Sequence, residues 1–74
     1  MNSNEVFAAH VNVGDIIVDG IPSRVEKIVY SDWKGVCLKV EDGNGYINYV
    51  RTGETGVVTK LAWSDEDWAA YRAL

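Results

Sequence analysis

The stretch Asp42-Gly43-Asn44-Gly45-Tyr46-Ile47-Asn48 carries the acid, glycine and apolar residue of an EF-hand calcium loop in register. Calcium needs several oxygen ligands, including a carboxylate at the first loop position and a bidentate glutamate at the twelfth. Here those positions hold Val40 and Arg51, an apolar group and a cation. The flanks also read as strands rather than helices. The stretch therefore reads as a β-turn. The one histidine and one cysteine, His10 and Cys37, have the side-chain types of a nucleophile–base pair. Cys37 falls in the middle of an apolar run, where a lone cysteine behaves as a small hydrophobe. His10 sits in another apolar segment, where a packed or exposed histidine is the usual outcome. Gly53-x-x-Gly56 lacks the Lys-Ser/Thr that follows the glycines of a phosphate loop, and reads as a hairpin turn. No catalytic residue, metal ligand or cofactor is expected, and the chain does not read as an enzyme.

The aromatic residues carry more. Trp33 lies in an expected turn beside Lys34, and Tyr30 ends the strand before it. Loops bury tryptophan poorly, so an exposed Trp33 marks a contact surface, with Tyr30 and Lys34 as its neighbours. An aromatic beside a lysine also suits stacking on a single-stranded base. The opposing outcome is a Trp33 that folds back over the end of the domain. Both stay open at the level of sequence.

Five apolar runs must position these residues: Ile16 to Val18, Val25 to Tyr30, Val36 to Val40, Tyr46 to Val50 and Val57 to Leu61. Glycine-containing turns separate them, and this spacing is that of short strands in a small sandwich or barrel. A five-stranded sheet leaves its edges unpaired unless it curls closed, so a barrel is expected. Asp19-Gly20 is a strong hairpin dipeptide. Pro22 lacks a donor, which places the start of the second strand at an edge. Val25 and Ile28 are three apart, and a bulge near Glu26-Lys27 puts both on one face. Val36, Leu38 and Val40 alternate with Cys37, Lys39 and Glu41 as a half-buried strand does. Ile47 and Tyr49 define one face of the next strand, Tyr46 and Val50 the other. In the last, Val57, Thr59 and Leu61 share a side. Near the N-terminus, a helical turn over Glu5 to His10 capped by Ser3 or Asn4 competes with an irregular lead-in strand.

The C-terminus changes character. Ser64 is a good N-cap, followed by Asp65, Glu66 and Asp67, whose charge complements the helix dipole. Trp63 before the cap and Trp68 at the fourth helical position have the spacing of a hydrophobic staple. Trp68, Tyr71 and Leu74 follow at three-residue steps on one face. A helix over 64–73 is expected to pack on one end or face of the barrel.

With 74 residues the chain is one domain, spanning 1–74, and a domain this small has a thin stability margin. Small domains usually add a disulfide, a metal or a partner subunit. A single cysteine offers neither an internal disulfide nor a thiol pair for zinc. That leaves tight packing of the three tryptophans and four tyrosines, or self-association as a homodimer. No apolar stretch is long enough to span a membrane, and Met1 to Glu5 has no basic n-region and no h-region. A cytoplasmic setting is expected. The net charge of −4 argues against a general nucleic-acid binder. Residues 24–60, however, carry six cations and five acids, and the acidity sits at the two ends.

The segment Val13-Gly14-Asp15-Ile16-Ile17-Val18-Asp19-Gly20-Ile21-Pro22-Ser23-Arg24-Val25-Glu26-Lys27-Ile28 resembles the opening hairpin of SH3-like small barrels. These include the KOW-type modules of translation and transcription factors and the N-terminal barrel of elongation factor P. The resemblance covers about a quarter of the chain and implies a mainly β fold. With the capped C-terminal segment, the expected fold is a five-stranded SH3-like barrel with a short C-terminal helix and, as one alternative, a short N-terminal helical turn. The basic positions of RNA-binding relatives are sparse here, and the acidic helix is foreign to them. The expected role is therefore a non-catalytic protein-interaction or regulatory module. Short acidic chains of this kind are typical of bacterial accessory proteins and phage-encoded modulators. The alternative is a KOW-like nucleic-acid-binding module.

Overall fold

The computed structural model describes residues 3–74. Six strands, β1 (Ser3–Phe7), β2 (Ile16–Asp19), β3 (Ile21–Asp32), β4 (Gly35–Asp42), β5 (Ile47–Thr52) and β6 (Val57–Leu61), precede one helix, α1 (Asp65–Arg72). All pairings are antiparallel, and the sheet runs β1-β6-β2-β3-β4-β5. The sheet is open: β1 and β5 are its edges and do not pair. This corrects the closed five-stranded barrel in both strand number and closure. The extra strand is the N-terminal segment, where a helical turn and a strand competed. Pairing against β6 decides for the strand, because it aligns Val6 with Val58 and seats Val6 against the core. The helical tendency survives only as a 3-10 turn over Ala8–His10, with no side-chain cap. A long-range ladder thus overrides a weak local cap.

Apart from Ile16, Cys37 and Trp68, which are buried away from it, the core lies on one face of the sheet. Ile17 from β2, Val25 from β3, Val36, Leu38 and Val40 from β4 and Val58 from β6 meet there, with Ala8 and Val11 from the N-terminal turn. On β6 the buried residue is Val58, whereas Val57 is exposed. The side expected to hold Val57, Thr59 and Leu61 is therefore not the core side.

The β3–β4 hairpin is the longest element. Twelve residues at about 3.3 Å each extend roughly 40 Å, comparable with the 38 Å long dimension of the molecule. Two register shifts bend it, one between Val25 and Lys27 and one between Ile28 and Tyr30. The first is the bulge that the three-residue Val25–Ile28 spacing requires. It keeps Val25 opposite Val40 and Ile28 opposite Leu38, both on the core face. Pro22 pairs with Val18 alone, since β4 joins β3 only from Ser23 onward. Its missing donor therefore falls where no second ladder exists.

Helix α1 closes the opposite end. Ser64 Oγ accepts from Asp67 N at 3.1 Å, and Asp67 Oδ2 accepts from Ser64 N at 2.9 Å, completing a capping box. Trp68 is buried and Trp63 half-buried, but no ring contact joins them. Tyr71 lies between, with ring centroids 5.2 Å from Trp63 and 5.7 Å from Trp68. The staple works through this intermediary. The helix stops at Arg72, and Leu74 is fully exposed rather than in line with Trp68 and Tyr71. The Tyr71 ring covers Gly43 so closely that a Cβ there would lie 2.6 Å from it. Arg72 reaches Glu41 at 3.8 Å.

Candidate functional site

Register decides which side chains share the face opposite the core. Residues directly paired across an antiparallel ladder point the same way, and neighbours along a strand alternate. One row across β3, β4 and β5 is therefore Tyr30, Cys37 and Arg51, and the next is Lys27, Lys39 and Tyr49. Lys27 and Tyr30 are three residues apart, which on a regular strand would place them on opposite faces. The second bulge, at Val29, puts both on this outer face. Cys37 is only 2% exposed between its two row partners, while Tyr30 and Tyr49 are 41% and 51% exposed.

The hairpin tip continues this face. Asp32 and Gly35 close a two-residue loop of Trp33 and Lys34. Asp32 Oδ1 accepts from Lys34 N at 2.8 Å, an Asx turn that fixes the loop. Gly35 has φ +142°, and a Cβ there would lie 2.3 Å from the Thr52 carbonyl oxygen, so β5 packs directly on its backbone. The loop holds Trp33 away from the domain at 76% exposure, with Lys34 Nζ 5.3 Å from its ring centroid. The fold-back outcome is not what the structure adopts. Tyr30, Trp33 and Lys34 thus lie at one end of the sheet, as the sequence placed them. The sequence did not single out Lys27, Lys39, Tyr49 and Arg51, which the ladder brings to the same side. Alternation within β4 and β5 offered a hint, but the Val29 bulge had no sequence signal strong enough to align β3 with them.

The other candidates are occupied by structural roles. Asp42 Oδ1 accepts from Asn44 N at 2.8 Å and from Tyr46 N at 3.1 Å, so this carboxylate braces its own turn. His10 packs edge-on against Phe7 at 5.6 Å, and no hydrogen bond joins it to the buried Cys37. A cleft of about 410 Å³ runs beside β1, β2 and β6. Its charged groups, Asp15 and Lys60, pair with each other at 3.5 Å. No family model, curated relative or solved structure matches the chain.

Proposed function

We propose that this chain is a non-catalytic protein-interaction module whose contact surface centres on Trp33, with Tyr30 and Lys34 beside it. The exposure of Trp33 carries the reading. A tryptophan is a large apolar surface, and holding it in water has no benefit to the fold. The two-residue turn that presents it would accept a small polar residue in its place. Tryptophan and tyrosine are the side chains that concentrate binding energy when a partner covers them. The polar rim such an anchor needs is at hand in Asp32, Lys34 and Ser31.

The test is substitution of Trp33. Trp33→Ala should leave the melting temperature within about 2 °C of wild type, because the side chain packs on nothing that orders the core. The same variant, used as bait in a lysate of the organism that encodes the chain, should lose the protein captured by wild type. A variant that unfolds, or one that captures the same protein equally well, would refute the proposal.

A further inference from the structure

We infer that the outer face of β3, β4 and β5 docks an acidic segment of a partner protein, an inference resting on the protein-interaction reading above. Charge is sorted along the molecule. Of the seven lysines and arginines, Arg24 pairs with Glu26 at 3.6 Å, Lys60 with Asp15 at 3.5 Å and Arg72 with Glu41 at 3.8 Å. The other four, Lys27, Lys34, Lys39 and Arg51, make no ion pair among the described residues. Three of them stand in the two outer-face rows, and the fourth is at the tip beside Trp33.

Lys27 and Lys39 are direct cross-strand partners, and the third member of their row is Tyr49. Like charges placed directly opposite destabilise a sheet, and this row contains no acid to offset them. Departures from local consistency of this kind gather where a surface serves binding. The complementary ligand is an anion long enough to meet both rows. Tyr30 and Tyr49 add apolar area and hydroxyl donors for carboxylate oxygens.

Polyanions of two classes have this charge, and the rest of the molecule selects between them. Nucleic-acid affinity rests on neutralising many closely spaced phosphates, and its approach is steered by the whole protein's field. Here the net charge is −4, with acids on α1 and in the N-terminal half. A protein segment with a few carboxylates among apolar side chains matches four cations and three exposed aromatics. It makes no further demand on the molecule's field.

The experiment titrates the ¹⁵N-labelled full chain with a short synthetic peptide of glutamates interspersed with leucines. An oligothymidylate of equal charge serves as the comparison. The peptide should give saturable shifts at Lys27, Tyr30, Lys39, Tyr49 and Arg51, weakening as salt is raised. Lys27→Glu should weaken peptide binding at least tenfold. It should also raise the melting temperature by about 1–4 °C, because a repulsive cross-strand pair becomes an attractive one. Lys60→Gln, on a different strand pair, should bind as wild type does. Absence of saturable shifts, shifts centred elsewhere, tighter binding of the oligothymidylate, or undiminished peptide affinity of Lys27→Glu would each overturn the inference. If Lys27→Glu keeps the protein captured by wild type while Trp33→Ala loses it, the interaction module stands and this docking face falls.

Discussion

Asp42 shows how a metal-like spacing arises from turn chemistry alone. Its carboxylate accepts from two amides of its own loop, and Gly45 supplies the positive φ, +89°, that closes the turn. Adding millimolar calcium should therefore leave the thermal melt unchanged, and a saturable calcium-dependent rise would contradict that expectation. Asp42→Ala removes the acceptor of both bonds and should cost about 1–2 kcal/mol, measured by urea denaturation. Gly35 is constrained for a different reason. An alanine there would take up an unfavourable φ and press on the Thr52 carbonyl, so Gly35→Ala should destabilise by about 1–3 kcal/mol. The turn that presents Trp33 would be displaced with it. The aspartate-anchored turn was legible in the sequence, because Asp-Gly-Asn-Gly has few other uses. The role of Gly35 was not, because it depends on β5 passing close by, a contact no local pattern encodes.

Among the elements, the strands were legible and their assembly less so. Alternation located β4 and the Val25–Ile28 spacing located the first bulge, since each follows from which side chains must be buried. The second bulge, at Val29, follows no such rule, because Tyr30 and Lys27 are both exposed and no burial of their own side chains enforces register. The candidate site was therefore half visible: its tip in the residue types, its sheet face only in the ladder. β1 was ambiguous because its burial depends on pairing with a strand some fifty residues later in the sequence. Helix α1 was announced by Ser64 and its three acids, and its stability rests on that cap and on Trp68. Ser64→Ala should cost about 1 kcal/mol through loss of the cap. Trp68→Ala removes the helix's one buried side chain and should cost roughly 3–5 kcal/mol, a large share of the stability of so small a domain. A melting temperature unchanged by Trp68→Ala would mean that the helix is no part of the stabilising core.

At the scale of the whole molecule, the open sheet raises the question that a closed barrel would have answered. Two edges, β1 and β5, present unpaired backbone groups, and such edges template association with a second strand. A homodimer formed along β5 would also support a domain whose single cysteine allows no internal disulfide. The sequence of β5 argues against it. Ile47, Tyr49 and Arg51 share the outer side of this edge, and two copies paired antiparallel about its centre would bring their Tyr49 residues opposite each other. Each Arg51 would then lie directly opposite Ile47 of the other copy, with its charge set against apolar area. An unpaired cation on a short edge strand is one of the ways a sheet resists pairing with its own kind. The melting temperature of the wild-type chain should therefore be independent of protein concentration. Arg51→Val leaves an edge of Ile47, Asn48, Tyr49, Val50, valine and Thr52, free of charge and rich in β-forming residues. That variant should sediment as larger species whose proportion grows with concentration, and its melting temperature should rise with concentration as well. Concentration-dependent melting of the wild type, or an Arg51→Val variant that sediments as wild type does, would show that charge on β5 does not guard this edge.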